Sequence, residues 1–219
     1  MFGMDRSKNQ GDEIPGPEGL SSDIVVSPDT RRGERIPPGQ SRTKKWPVLD
    51  ASGPPEISQA SWKFRMSGLV GKESSWGWDE FVKLPHVQVF ADFHCVTRWS
   101  RLGNLWEGVS TRTLLEQCGG AGPRAAFVTV HGYDRGWTTN LPLENFLAAD
   151  ALVALLHDGE PISLEHGGPA RLIVPSLYAW KSAKWVAGVE LTERDRPGFW
   201  EVNGYHMRGD PWRQERYGF

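Results

Sequence analysis

Residues 87–99, VQVFADFHCVTRW, set Val87, Val89, Ala91 and Phe93 at alternate positions. That period belongs to a strand, whose successive side chains leave opposite faces. The strand runs directly into His94-Cys95-Val96-Thr97-Arg98-Trp99, so Cys95 falls at a strand end, where a loop can present it. Neighbours along a strand face opposite ways, which weakens any reading of His94 and Cys95 as a Cys/His nucleophile pair. Arg98, Arg101 and His94 lie close in sequence, and nearby cations favour the thiolate, which is both nucleophile and soft-metal ligand. An unreactive free cysteine is a small buried hydrophobe, and Cys118, on the apolar side of a helix, receives that reading.

Outward from this run, Trp62, Phe64 and Met66 alternate with Lys63, Arg65 and Ser67, a strand over 62–69 with one wet face. Residues 78–84 (WDEFVKL) carry helical spacing and are stopped by Pro85. Downstream, Ser110 or Thr111 caps a helix through Leu114, Leu115 and Cys118 that ends at Gly119-Gly120. Ala125 to Val130 predicts a strand leading to His131, Leu143 to Leu147 a helical turn, and Leu152 to Leu156 a buried strand before an Asp158-Gly159 turn. Arg171 to Val174 and Lys184 to Leu191 add two more strands. Short strands outnumber helices without regular βαβ alternation, so the expected fold class is α+β with a β-rich core.

The chain has 219 residues, 38% of them hydrophobic and 24% charged, which is globular composition and long enough to fold without a metal or cross-link. A net charge of −2 argues against a sequence-wide footprint for nucleic acid or anionic membrane, while leaving room for a local anion site. No run is apolar enough to span a membrane. Residues 1–45, rich in Gly, Pro, Ser, Asp and Arg, are expected to be a flexible N-terminal tail or a wrapping arm, and 46–219 the domain. That segment holds no apolar core able to engage an export machine, so the expected location is cytoplasmic. Its cations Arg31, Arg32, Arg35, Arg42, Lys44 and Lys45 could dock an acidic carrier, or simply belong to a solvated linker or packed arm.

A second cluster is His166-Gly167-Gly168-Pro169-Ala170-Arg171, followed by Tyr178-Ala179-Trp180-Lys181-Ser182. Glycines before a proline permit close backbone approach, and Arg171 and Lys181 offer phosphate-binding charge; a turn with two surface cations reads equally well. There is no GxGxxG, Walker loop, HExxH or nucleophile elbow, so nicotinamide and nucleoside-triphosphate chemistry lose support. Asp92, Glu107, Asp134 and Glu144 form no identifying pair, and the eleven tryptophans are scattered as core residues tend to be.

Four segments carry a resemblance: DFHCVTRWSRLGNLWEGV (92–109), TTNLPLENFL (138–147), HGGPARLIVPSLYAWKSAKWV (166–186) and GFWEVNGYHMRGDPW (198–212). Together they resemble the molybdopterin-binding oxidoreductases of the sulfite oxidase superfamily, and most of all their short haem-free bacterial branch, which is similar to the catalytic subunit of periplasmic methionine sulfoxide reductase. The resemblance spans Trp46 to Trp212. It implies the β-rich α+β catalytic fold of that superfamily, without a haem or dimerisation domain. It also implies molybdenum held by the molybdopterin pyranopterin dithiolene and by one protein thiolate, Cys95, with oxygen-atom transfer on a small sulfur- or nitrogen-oxo substrate. By the same alignment the pterin contacts are His131, His166, Arg171 and Ala179-Trp180-Lys181, with aromatic contacts near Trp46 to Leu49. Arg98 and Arg101 would bind an anion such as sulfite or tune the cofactor's field.

With no Cys or His set for an iron–sulfur cluster or attached haem, electrons would pass to or from a separate electron-transfer partner. Two other readings remain open at this point: a non-catalytic binding protein that retains the fold, and a cysteine-dependent hydrolase that works without metal.

Overall fold

The computed structural model describes residues 14–218. Strands in chain order are β1 (Val25–Val26), β2 (Ser41–Arg42), β3 (Lys63–Gly68), β4 (Ser74–Gly77), β5 (His86–His94) and β6 (Trp99–Ser110). There follow β7 (Phe127–Gly132), β8 (Thr138–Pro142), β9 (Leu152–His157), β10 (Glu160–Pro161), β11 (Arg171–Ile173) and β12 (Val186–Thr192). Helices are short: α1 (Trp78–Phe81), α2 (Thr111–Gln117), α3 (Leu143–Phe146) and α4 (Phe199–Val202). Among the described residues no helix is long and apolar enough to cross a membrane.

Two mixed sheets result, as the α+β reading requires. One runs β1-β5-β6-β9-β10, with β11 also on β9 and β2 also on β6; the other runs β4-β3-β12-β7-β8. The main core between the sheets takes Phe64 and Met66 from β3, Val128 and Val130 from β7, Val153 and Leu155 from β9, and Leu114, Leu115 and Cys118 from the α2 region. Each such fully buried side chain contributes roughly 1.5–3 kcal/mol. β9 is buried on both faces: Leu152 and Ala154 meet Val89, Ala91, Phe93 and Trp106 on the far side. α2 starts where expected, with the Ser110 hydroxyl accepting from the Arg112 N–H, and the chain leaves it through left-handed Gly119 and Gly120.

Besides the short pieces β1, β2, β4 and β10, two longer strands, β6 and β8, escape the sequence reading. β6, the longest described strand, buries Ser100, Leu102, Asn104 and Trp106 at alternate positions, so polar residues stand where apolar ones would signal the period. At Gly108 the strand presses so closely on β9 that a Cβ would overlap the Val153 carbonyl. β8 (TTNLP) is an edge strand ending in proline, with little apolar content to announce it.

Over its described part, 14–45, the expected flexible tail is an arm laid along the domain; residues 1–13 lie outside the described residues. Val25 and Val26 pair in parallel with Val89 and Phe90, and Ser41 and Arg42 with Trp99 and Ser100. Composition left the tail and the wrapping arm both open because the arm borrows its ladder partners from strands distant in sequence. Two of its cations are consumed in the fold: Arg35 pairs with buried Asp92 at 2.6 Å, and Arg32 pairs with Asp29 and lies 4.2 Å over the Trp212 ring.

Candidate active site

β5 and β6 are antiparallel, so Cys95 to Arg98 is the loop between them. The Cys95 N–H donates to the Trp99 carbonyl at 2.9 Å and the Arg98 N–H to the Cys95 carbonyl at 3.0 Å. The turn closes through Arg98 in the left-handed region, φ +72°. Outside braces hold the loop: Gln40 Nε2 donates to the Cys95 carbonyl at 3.0 Å, and Arg216 Nη1 to the Val96 carbonyl at 3.1 Å. The thiol is buried, and Thr97 Oγ1 donates to its sulfur at 3.2 Å. Burial pushes the Cys95 thiol up, while the Thr97 hydroxyl, the Thr97 and Val96 backbone and the charge of Arg171 pull it down.

Cys95 lies in the wall of a cavity of about 210 Å³. Around it stand Val96, Thr97, Trp99, Trp180, Trp200 and Tyr205; further along are Trp46, Asp50, Asp134, Arg171, Lys184 and Trp185. The aromatics are packed against one another. Trp200 stacks on Tyr205 at 4.9 Å, and Trp180 meets the same tyrosine edge-on at 5.1 Å.

Arg171 opens β11 inside this cavity with almost no exposure. Its Nη1 and Nη2 donate to the carbonyls of His166 and Ser182 at 2.7 and 2.8 Å, and its buried Nε has no hydrogen-bond partner. Burial pushes the guanidinium down to about 9, which still leaves it charged at neutral pH; the anionic form of Cys95 acts in the opposite sense. Lys184 is brought down to about 8 by burial and by Arg171, despite Asp50 at 3.6 Å. Burial also raises Asp134 to about 6. A buried cation with an unused donor, and a half-buried lysine whose charge it disfavours, suit an anionic guest.

The structure sorts the sequence candidates. Cys95, Arg171, Ala179 and Trp180 line the cavity, as do Trp46, Pro47 and Leu49. His166 stands behind the lining, its ring stacked flat on Trp46 at 3.9 Å, and its carbonyl holds Arg171. Four of the expected residues are placed away from the lining. Arg98 is exposed and outside the cavity lining, because the left-handed turn carries its side chain away, beside Gly39. Arg101 is engaged by Asp158, Asn104 and His157. His131 is also outside the lining, since the strand period that buries Val128 and Val130 turns it away, toward Glu190 at 4.0 Å. Lys181 is fully buried and saturated by Glu201, Met207 and Asn140, leaving no donor for a phosphate.

Lys184 and Asp134 are cavity residues that the sequence reading did not select. Lys184 stands in the same HGGPAR…KSAK segment as Lys181, and only the direction of each side chain separates them.

Among the described residues no group of three or more His, Cys, Asp or Glu side chains converges, so a metal here would depend on ligands brought with it. One soft thiolate, a flanking pair of cations and an aromatic cleft fit a metal carried by an anionic organic dithiolene. Cys95 could ligate the metal, and Arg171 and Lys184 could hold the cofactor's anionic end.

Residues 51–200 match the family described as the oxidoreductase molybdopterin binding domain. Uncharacterized oxidoreductase YuiH of Bacillus subtilis (strain 168) is 44% identical over 184 residues, covering 84% of this chain and 92% of that protein. The protein-methionine-sulfoxide reductase catalytic subunit MsrP of Campylobacter jejuni is 24% identical over 159 residues, covering 64% of this chain and 52% of the relative. The sulfane dehydrogenase SoxCD of Paracoccus pantotrophus shares the fold, with a TM-score of 0.58 and 21% identity over 67% of this chain and 45% of that one. The chain thus spans nearly all of YuiH but about half of the other two. With a thiol-lined aromatic cleft on this fold and a family match across most of its length, the chain belongs to the molybdopterin-binding oxidoreductases of the sulfite oxidase superfamily.

Proposed function

We propose that this enzyme removes the oxygen atom from a neutral organic sulfoxide, with Cys95 as the protein ligand to molybdenum. One observation carries the reading. The cavity around Cys95 is walled by Trp99, Trp180, Trp200 and Tyr205, while Arg98 and Arg101, the cations that would draw in sulfite or nitrate, stand outside its lining. An apolar, aromatic wall binds alkyl or aryl substituents on sulfur and gives a small, strongly hydrated anion little in exchange for its water. The name of MsrP, a methionine-sulfoxide reductase, agrees with this chemistry.

The bound cofactor supplies two-electron oxygen-atom transfer, by which R₂SO, two electrons and two protons become R₂S and water. The protein's own part is placement. Cys95 anchors the metal from a loop braced by Gln40 and Arg216. Arg171 and Lys184 hold the cofactor's anionic end, and the aromatic wall excludes water and presents the sulfur side of the substrate. Electrons come from a separate donor protein.

The test is steady-state turnover of the molybdenum-loaded enzyme. Dimethyl and aryl methyl sulfoxides and nitrate are assayed with a reduced viologen, and sulfite with an artificial acceptor. Expected is a kcat/KM for sulfoxides at least about tenfold above either anion, equivalent to roughly 1.4 kcal/mol of transition-state preference. A preference for sulfite or nitrate overturns the reading. Metal-free, alkylation-sensitive hydrolysis would replace it with cysteine chemistry.

A further inference from the structure

Lys181 and Glu201 form an ion pair at 2.6 Å with both side chains fully buried. Such a pair is weak evidence for stability, because desolvation offsets most of the attraction, so its use must be sought in what it orients. Glu201 Oε1 also accepts from Trp180 Nε1 at 2.8 Å and from Thr139 Oγ1 at 3.1 Å, while Oε2 accepts from the Gly198 N–H at 3.1 Å. One carboxylate therefore gathers a cavity tryptophan, an edge strand and the start of α4.

The consequences reach the cavity from two sides. Trp180 is tied directly, through its indole N–H. Trp200 is tied through the backbone: it precedes Glu201 in α4, and the helix start is pressed against β8 where a Cβ on Gly198 would overlap the Thr138 carbonyl. Tyr205, whose N–H donates to the Trp200 carbonyl at 2.9 Å, fills the space between the two indoles. A fully satisfied buried network of this kind is rigid.

The geometry points to Glu201 as the positioning residue that sets the aromatic wall beside Cys95 and so determines which sulfoxides fit, with Lys181 as its counter-ion. The inference rests on the sulfoxide reading above. Glu201 is outside the cavity lining; it acts through Trp180 and Trp200.

The experiment compares Glu201→Gln, Glu201→Ala, Trp180→Phe and the double variant Glu201→Ala/Trp180→Phe as molybdenum-loaded enzymes. If the alanine variants do not fold, Lys181→Met is combined with Glu201→Met, so that no buried charge is left unpaired. The readout is the ratio of kcat/KM for methyl phenyl sulfoxide over dimethyl sulfoxide. Glu201→Ala and Trp180→Phe should each change the ratio by about fivefold, mainly through KM, and the double variant by no more than either alone. Glu201→Gln, which keeps an oxygen for the indole N–H, should retain at least half of the wild-type ratio. Additive effects, an unchanged ratio in Glu201→Ala, or equal losses of kcat on both substrates overturn the assignment.

If the wild type reduces no sulfoxide, the functional reading has failed, and near-ultraviolet circular dichroism then tests the positioning separately. Glu201→Ala should alter the aromatic bands at unchanged secondary structure, and Glu201→Gln should largely preserve them. Identical spectra for wild type and Glu201→Ala sink the positioning role.

Discussion

Arg216 Nη1 donates to the carbonyl oxygen of Val96 at 3.1 Å, across 120 residues of sequence. The same guanidinium reaches the Pro38 carbonyl at 3.1 Å and the Gly39 carbonyl at 3.4 Å through Nη2, and lies 5.0 Å over the Tyr178 ring. Segments far apart in sequence thereby meet at the cysteine loop: the arm, the loop itself and the residues near 216. A charged donor serving several backbone carbonyls is worth more than a neutral one, so Arg216→Ala should cost about 2–3 kcal/mol. Urea unfolding of the metal-free protein measures that cost. Alkylation of Cys95 by iodoacetamide should also accelerate, about tenfold, as the loop opens more often; an unchanged alkylation rate would show that the brace does not govern the loop.

Cys95→Ser replaces a soft thiolate with a hard oxygen donor. Outer-shell partners of a metal site are already worth roughly 10–100-fold, so loss of the ligand itself should reduce turnover by more than about a hundredfold. Elemental analysis and the metal's absorption bands check the assignment. Normal turnover with an unchanged spectrum would falsify it. Cys118→Ser, in the core beside α2, should leave activity intact and cost about 1 kcal/mol.

Lys181 and Lys184 should part company on substitution. Lys181→Ala strands buried Glu201 without its counter-ion, and breaking a pair of this kind costs about 3–5 kcal/mol. Lys184→Ala leaves no comparable charge uncompensated, so its stability should stay within about 1 kcal/mol of wild type. Its cofactor content should fall instead, most clearly in combination with Arg171→Ala. Thermal melts and pterin release after denaturation separate the two outcomes; full pterin content in the Arg171/Lys184 double variant would contradict the anion-site reading.

His94 introduces a pH dependence. It is buried, with Nδ1 against Ser100 Oγ at 2.8 Å and no partner for Nε2, and burial lowers it to about 4. Between its ordinary value near 6.5 and about 4, the unfolded chain takes up a proton that the folded chain refuses. The unfolded state then binds more protons, so stability falls as pH drops through that window, by at most about 1.4 kcal/mol per pH unit for one group. His94→Asn should flatten the slope of unfolding free energy between pH 6.5 and 4.5. An identical slope in both proteins would assign the proton uptake elsewhere, with His157, also lowered to about 4, the first place to look.

Local regularities were legible from the residues. The alternation of Val87, Val89, Ala91 and Phe93 marked β5, and its interruption at Cys95 marked the loop that carries the thiol. Ser110 and Gly119-Gly120 bounded α2, because capping chemistry acts within a few residues of the helix end. The HGGPAR…KSAK segment signalled charge at a close backbone approach. β6 and β8 stayed hidden because their buried positions include Ser100, Asn104, Thr139 and Asn140, whose burial depends on partners elsewhere in the chain.

Which cation does what was decided by the tertiary structure alone. Arg98, Arg101, Arg171, Lys181 and Lys184 are alike as letters, yet one faces solvent, one is engaged by Asp158 and its neighbours, one is sealed against Glu201, and two line the cavity. A charged side chain's role is set by where its backbone aims it and by which opposite charge or carbonyl waits there. For Lys181 that partner is 20 residues away, for Arg101 57 and for Arg216 120. Periodicity and capping are short-range effects and can be read along the chain; electrostatic pairing acts through space, and only the folded backbone determines which groups come within its reach.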